Sequence, residues 1–470
     1  MHRFEILTKT QVEKIHATSL RILEDIGLDF GYPPAQEVLK KGGAKVDGQR
    51  VFFPPRLVET YIKKAPRRFT LHARNPQNNV VIGDGNTIFA PGYGAPFVTD
   101  LETGHRKATM EDFINFAKLT GASANQNILS GTVVEPTDIP YETRHAHMVY
   151  AAVKYSDKCF MGSTMGAKAA RECVQMASIL WGSRSKIESA PAIMGVIGPL
   201  TPLKYDSRML GALMEYAAAG QAALVASLAI AGATGPVTLA GNLALQNAEV
   251  LAGIVLAQMV REGTPVIFGG ASSNAEMRNG TLSIGSPEMA INAAATAQMA
   301  RYYKLPVRCG GAVCDAKSPD SQASYESMMS LLMALVSGAN FVLHSAGILE
   351  SFNCMSYEKF IMDDEMCGMV KRIYRAIEVN PDTLAFDVIK AVGPGGHFLD
   401  KDHTFDHFRT EFYQPRLSNR DDFTTWQTNG SSQIVVTANL KLKEILNNYE
   451  APGLPADVDK DLRKFIAKLG

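Results

Sequence analysis

The sequence carries no surplus of either charge: its 47 basic and 47 acidic side chains cancel across 470 residues. Proteins that grip a nucleic-acid backbone or an anionic membrane surface concentrate positive charge. Nothing here marks either partner, and a small molecule or another protein is expected instead. Paired cysteines are also missing. The six thiols, at 159, 173, 309, 314, 354 and 367, show no CxxC spacing, which supports neither a disulfide framework nor a thiolate metal site. The opening residues, MHRFEILTKTQVEKIHATSLRILEDIG, lack the apolar core and cleavage signature of a secretion signal. They read as an amphipathic helix starting near Thr10, and a cytoplasmic location is the expectation.

Charge is absent altogether from 216 to 248. By length that run could cross a membrane, but Gly220, Gly232, Gly235, Pro236 and Gly241 divide it into strand, loop and helix. Extended to Ala222–Gly270, the segment reads as one strand–helix–strand unit whose strands are covered on both faces.

The same unit recurs from about residue 106. Strands are expected near 128–134, 158–163, 192–198, 222–230, 265–271, 307–311 and 341–346. Helices are expected near 141–155, 167–181, 206–219, 241–262, 287–303, 320–337 and 356–378. Seven such repeats favour an α/β fold of the (β/α)8 TIM-barrel type over an open doubly wound sheet. The eighth strand is left open, since 382–396 fits either a strand or a short helix, and 433–452 reads as a closing helix. Residues 1–105 are read as an N-terminal α+β extension, with a hairpin around Asp47-Gly48 and a Pro/Gly-dense loop, 91–104, lying over the barrel mouth. Residues 106–470 are then the barrel with its C-terminal helices.

In a TIM barrel, chemistry sits on the loops that follow the strands. Those positions hold Glu135, Ser163, Thr164, Ser227, Ser272, Ser273, Asn274, Cys314, Asp315 and His344, a set rich in small residues and poor in acid–base groups. His344 ends the strand FVLHSAG, where a ligand contact and a buried, satisfied imidazole are both open readings. Asp315 reads either as a ligand contact or as a cap for the helix starting near Pro319. Glu135 and Asp138 read as solvated loop carboxylates. His145 and His147 cannot share one helical face. His403 and His407 have i, i+4 spacing but lack the Glu of HExxH and an evident third ligand, so no metal site is assigned. GATGP (232–236) and GPGGH (393–397) permit close backbone approach but fit neither GxGxxG nor a Walker motif. Tyr93, Phe97, Tyr141, Phe268, Phe352 and Tyr357 fall in mouth segments. Facing one cavity, such rings would suit a quaternary ammonium ion.

The stretches PGYGAPFVTD (91–100), KCFMGST (158–164), GPLTPLKYD (198–206), ATGPVTLAGNLALQNAEVLAG (233–253), GTPVIFGGASSNAEMRNG (263–280), GSPE (285–288), DAKSPDSQASYES (315–327) and GGHFLDKDHTFDHF (395–408) run over nearly the whole chain. In this order they resemble the trimethylamine methyltransferase superfamily of corrinoid-dependent methyltransferases. The resemblance implies a barrel at whose C-terminal mouth a substrate meets the corrinoid (cobalamin) of a separate corrinoid protein. Archaeal trimethylamine enzymes of the family carry pyrrolysine, whereas this chain has only standard residues. It is therefore similar to the members that demethylate glycine betaine and related quaternary amines such as proline betaine or carnitine. A quaternary nitrogen leaves as a neutral amine when its methyl is attacked by Co(I), so no general acid is needed and no catalytic side chain is assigned.

On this reading the expected substrate contacts are His344, Tyr93, Phe97, Phe268, Phe352, Tyr357, Arg308 and Asp315, with His344 or Arg308 near a substrate carboxylate. The expected corrinoid-facing residues are Gly232, Thr234, Gly235, Ser272, Ser273, Asn274, Gly395, Gly396 and His397. No tightly bound metal is expected, and a homo-oligomer is left open. The competing readings are a tertiary-amine methyltransferase acting on trimethylamine and a non-catalytic quaternary-ammonium binding protein.

Overall fold

A computed structural model describes residues 3–469. Eight parallel strands form the core: β1 (Ile88–Ala90), β2 (Ile128–Leu129), β3 (Cys159–Met161), β4 (Ile193–Ile197), β5 (Ala222–Ser227), β6 (Val266–Gly270), β7 (Val307–Gly310) and β8 (Phe341–Leu343). Each is followed by a helix: α1 (Met110–Ala122), α2 (Tyr141–Tyr155), α3 (Ala167–Trp181), α4 (Ser207–Ala218), α5 (Leu239–Val260), α6 (Pro287–Tyr303), α7 (Ser321–Val336) and α8 (Tyr357–Tyr374). Strand neighbours follow chain order, with β8 returning to pair with β1. Between β1 and β2 the seam is closed by Asn127. Its backbone N–H donates to Phe89 O at 2.8 Å and its side-chain oxygen accepts from Phe89 N at 3.0 Å. The fold is the expected (β/α)8 barrel.

The first barrel strand corrects the domain boundary. β1 lies inside the segment read as the N-terminal extension, so the barrel begins at Ile88 and not after 105. Residues 382–396 supply no strand; they form the helices Pro381–Leu384 and Phe386–Val392 and the loop after them. The closing helix runs over Ile434–Asn448.

Strand alternation sorts side chains between two clusters. Ile128, Met161, Leu224, Ile267 and Phe341 point into the barrel, where Phe69, Leu71, Val80 and Ile82 join them. These last four belong to a hairpin, Phe69–Leu71 with Val80–Ile82, that closes the N-terminal end of the barrel. His72 N–H donates to Pro191 O, just before β4, at 2.8 Å and fixes the hairpin there.

Helix α5 explains the missing charge. It is long and apolar enough to pass a test for a membrane span, yet 89% of that window is buried inside the protein. The barrel covers its inner side, and the helices Lys9–Arg21, Pro33–Lys41 and Pro55–Ile62 of the extension pack on its outer side. A helix covered all round has no face for charge. Several of its polar groups are met locally: Ser19 Oγ donates to Ala244 O at 2.9 Å, and Asn247 Nδ2 donates to Ser19 Oγ and the Tyr303 hydroxyl, each at 2.8 Å. Gly253 is required, because a Cβ there would lie 2.7 Å from the Tyr205 hydroxyl.

The one acid in this helix, Glu249, is fully buried. Its carboxylate accepts from Ser227 Oγ at 2.6 Å, Thr201 Oγ1 at 3.0 Å and Leu203 N at 2.7 Å. It thereby ties the loop after β4 and the end of β5 to α5. Burial pushes its carboxyl up, while these donors pull it down. Glu249→Ala leaves an amide and two hydroxyls unsatisfied and is expected to destabilise the fold by about 2–4 kcal/mol, whereas Glu249→Gln keeps acceptor and shape and costs about 1 kcal/mol. Urea midpoints of the two variants check this; equal losses would show that the carboxylate's contacts are not what matters.

Candidate functional site

The C-terminal ends of the strands converge on an arginine and a histidine. Val307 and Cys309 of β7 face the helices, so Arg308 between them faces the barrel interior, in register with Gly269 of β6 and Phe341 of β8. The side chain is 1% exposed. Its Nη1 donates to Gly270 O at 2.7 Å and its Nη2 to His344 Nδ1 at 2.8 Å. Among the described residues nothing accepts from its Nε, and no carboxylate pairs with it. Burial lowers the guanidinium to about 10, still charged at neutral pH.

His344, the first residue after β8, adopts a left-handed backbone with φ 64°. That conformation is uncommon for a residue with a Cβ. Burial and the neighbouring guanidinium hold its imidazole well below the ordinary range, so it is neutral. Because Nδ1 accepts from Arg308, the proton sits on Nε2, which donates to Tyr93 O across a long 3.3 Å. The result is a neutral donor with a buried positive charge behind it and a weak partner in front.

Phe352 lies on the other face of that imidazole, with ring centroids 4.4 Å apart. Its loop is unusual: Glu350, Ser351 and Phe352 all have positive φ, at 53°, 52° and 80°. Such a run holds only where the surroundings over-determine it. Asp315 does much of this. Its carboxylate accepts from Ser351 Oγ at 2.6 Å, Ser283 Oγ at 2.8 Å, Ile284 N at 2.9 Å and Gly285 N at 3.0 Å. Asp315 is thus used up in joining the loops after β6 and β8. Asp320, not Asp315, caps α7, accepting from Ala323 N at 3.0 Å.

Tyr93 connects this corner to a cavity of about 310 Å³ above β1–β4, lined also by Thr132, Glu135, Tyr141, Met148, Thr164 and Met165. Burial raises the Tyr93 phenol, with Thr164 and Thr132 beside its hydroxyl. Arg208 at the rim is paired with Asp206 at 3.0 Å, and Arg144 donates to Ile139 O at 3.2 Å. Glu135 is exposed and, among the described residues, in no ion pair. The cavity thus offers aromatic and thioether surface with one free carboxylate.

The structure sorts the remaining expected contacts. Phe97 is half-buried beside the mouth, its ring 4.7 Å from that of His105, which stands 3.4 Å from Glu350. Phe268 is a correction: strand alternation turns it outward, fully buried against Tyr303 of α6 at 5.7 Å. Tyr357 is another. It opens α8 but packs away from the mouth, stacked on Phe116 at 4.5 Å with its hydroxyl donating to Asp112 at 2.8 Å. Ser272, Ser273 and Asn274 are occupied internally. Ser272 Oγ accepts from Ala229 N, Ser273 Oγ donates to Ser283 O, and Asn274 Oδ1 accepts from Ser286 Oγ. The loop of Gly232, Thr234 and Gly235 closes on itself through Ile230 N to Thr234 Oγ1 at 2.9 Å and Gly232 N to Gly235 O at 3.0 Å. Its tip leaves Val237 68% exposed, next to Met277 at 71%. Gly395, Gly396 and His397 fall in the loop between the helices Phe386–Val392 and Asp402–Glu411, beyond α8 in the chain. Sequence reasoning missed Thr132, Met148, Met165 and Arg208; a position one to four residues past a strand flagged Thr132 and Met165, and nothing flagged the other two.

The sequence pattern of the trimethylamine methyltransferase (MTTB) family matches residues 1–469. The chain belongs to the trimethylamine methyltransferase family. It is 52% identical over 468 residues, covering 100% of this chain and 98% of its relative, to a glycine betaine methyltransferase from Desulfitobacterium hafniense (strain Y51). It is 33% identical to the trimethylamine methyltransferase MttB of D. hafniense (strain DSM 10664 / DCB-2), over 96% of this chain and 91% of that one. It is 32% identical to a proline betaine:corrinoid methyltransferase from Eubacterium limosum, over 87% and 86%. Among solved structures, the monomethylamine methyltransferase MtmB of Methanosarcina barkeri shares the fold, with a TM-score of 0.57, 12% identity and coverage of 100% of this chain and 89% of that one.

For this family member the state of His344 is directly measurable. Below its unfolded value of about 6.5 the unfolded chain binds a proton there and the folded chain does not. The residue therefore lowers stability as pH falls below 6.5 and has no such effect above it. Nitrogen chemical shifts of labelled histidine should show His344 as the neutral Nε2–H form from pH 5.5 to 8; a midpoint near 6.5 would contradict the arrangement.

Proposed function

We propose that this chain transfers a methyl group from a carboxylate-bearing quaternary amine, glycine betaine foremost, to the corrinoid of a separate protein. The observation that carries the reading is the buried Arg308, which has no anionic partner among the described residues and stands behind the donor His344. A buried charge is costly unless compensated, and a ligand carboxylate at His344 Nε2 would compensate it. Trimethylamine has no such group. The similarity to enzymes named for glycine betaine and proline betaine points the same way.

The remaining residues fit the other end of such a substrate. Phe352 on His344 and the Tyr93 ring offer faces to a methylated cation, and the Glu135 carboxylate lines the same cavity. The methyl groups need no hydrogen-bond partners, and the nitrogen departs neutral, so the reaction needs no general acid from the protein. When bound, the corrinoid supplies a strong nucleophile for the methyl carbon. The residues fit a bulky, flat group: the rim between the loops after β5 and β6 presents Val237 and Met277, uncharged and exposed, and a side chain at Gly232 would press on Met277 Sδ at 3.1 Å. The work left to the protein is to hold the cation's methyl toward that rim and keep water out.

Corrinoid methylation by the purified protein, read spectroscopically with a reduced corrinoid protein and a panel of amines, tests this. Glycine betaine or a close analogue should be the best donor. Arg308→Gln should raise KM for glycine betaine by about 100-fold while sparing tetramethylammonium, which has no carboxylate, and Arg308→Lys should recover part of the loss. Trimethylamine as the best donor, or an equal loss on both donors, would overturn the reading.

A further inference from the structure

Beyond α8 the chain forms an arm with almost no core. From 372 to 437 only Leu417 is buried, while Val379, Phe386, Leu399 and Phe405 are 66–87% exposed. Apolar burial therefore cannot account for the position of the helix Pro381–Leu384 against the helix Asp402–Glu411. What joins them is a cluster that the sequence alone leaves incomplete. His403 and His407 lie on one face of the second helix, with ring centroids 4.3 Å apart. His407 Nε2 is 3.2 Å from Asp382 Oδ2, and His403 Nε2 is 3.2 Å from Asp382 O. One ligand atom from each of the three residues lies within 4.8 Å of the others.

We propose that Asp382, His403 and His407 bind a divalent transition-metal ion, zinc foremost, that staples the two helices of the arm. Both imidazoles direct a ring nitrogen at oxygens of one residue, so a single cation placed among them replaces the bridging protons. Two imidazoles and a carboxylate suit a borderline ion such as Zn2+; Mg2+ and Ca2+ prefer all-oxygen sets. Tetrahedral bonds of about 2.0–2.2 Å place ligand atoms about 3.3–3.6 Å apart, so the widest separation in the cluster contracts by up to about 1.5 Å, within reach of surface side chains. The Asp382 carbonyl or water fills the fourth position. The ion's role is cohesion: metal binding supplies folding energy where a core does not.

The other metal-like group, His105, Glu350 and Cys354, does not share these features. Its thiol is buried, pushed up to about 12, and donates to Met355 O at 3.5 Å, so no thiolate is on offer. It serves as an internal control.

The test uses the full-length chain without an affinity tag, stripped with chelator. Calorimetric titration with Zn2+ is expected to give one ion per chain at about micromolar Kd or tighter, and Co2+ is expected to give visible bands of a four-coordinate nitrogen–oxygen site. Asp382→Asn should weaken binding by about 10–100-fold, His403→Gln/His407→Gln should abolish it, and His105→Ala should leave it unchanged. Zn2+ should also slow tryptic cleavage after Lys390, Lys401 and Arg409 in the wild type but not in the double variant. An unchanged thermal transition of the double variant shows that it is folded. Absence of stoichiometric binding by the wild type, or wild-type affinity in the double variant, would overturn the proposal.

Discussion

A positive charge, buried with no carboxylate beside it among the described residues, governs the mouth of this barrel. Arg308 donates only to neutral acceptors, Gly270 O and His344 Nδ1. Those two bonds engage Nη1 and Nη2, leaving Nε without an acceptor among the described residues and the electrostatics open. They also propagate. The bond to Nδ1 sets the tautomer of His344, the tautomer sets a donor facing Tyr93 O, and Phe352 packs tilted against the same ring. Asp315 acts one step further back, holding the positive-φ loop that carries Phe352. A methyl-transfer site built this way works through binding groups, which is the division of labour expected when the leaving group needs no proton.

The scaffold beneath depends on a helix that resembles a membrane span and is instead a core element. The extension's three helices cover α5, and its buried Glu249 ties the loop after β4 and the end of β5 to it. The same logic fails beyond α8, where no second layer covers the helices of the arm. That contrast is why a metal staple is proposed for the arm and not elsewhere.

Seven barrel strands were legible because each is an apolar run that ends in glycine or small polar residues. β1 was not, since its three residues sit between GDGNT and PGYG and carry no periodic signal. Which face a residue takes was the harder matter. Strands covered on both sides are apolar throughout, so the sequence does not say that Phe268 turns to the helices while Arg308 turns inward. Tyr357 misled for a similar reason: a helix start near the mouth does not set a side chain's direction. Asp315 and Asp320 both precede α7, and only the turn geometry shows which one caps it. His344, Arg308, Tyr93 and Phe352, which the structure brings together, could be picked out because strand-end position, charge and aromaticity coincided there. Asp382 could not be matched to His403 and His407, because 21 residues separate it from the nearer histidine.

The central claim is that the Arg308–His344 pair receives the substrate's carboxylate. A crystal structure of the protein with glycine betaine tests this most directly. The account predicts a carboxylate oxygen within hydrogen-bond distance of His344 Nε2 and the trimethylammonium group against Phe352 and Tyr93, with a methyl turned toward the open mouth. A carboxylate bound elsewhere, with His344 still donating to Tyr93 O, would contradict it.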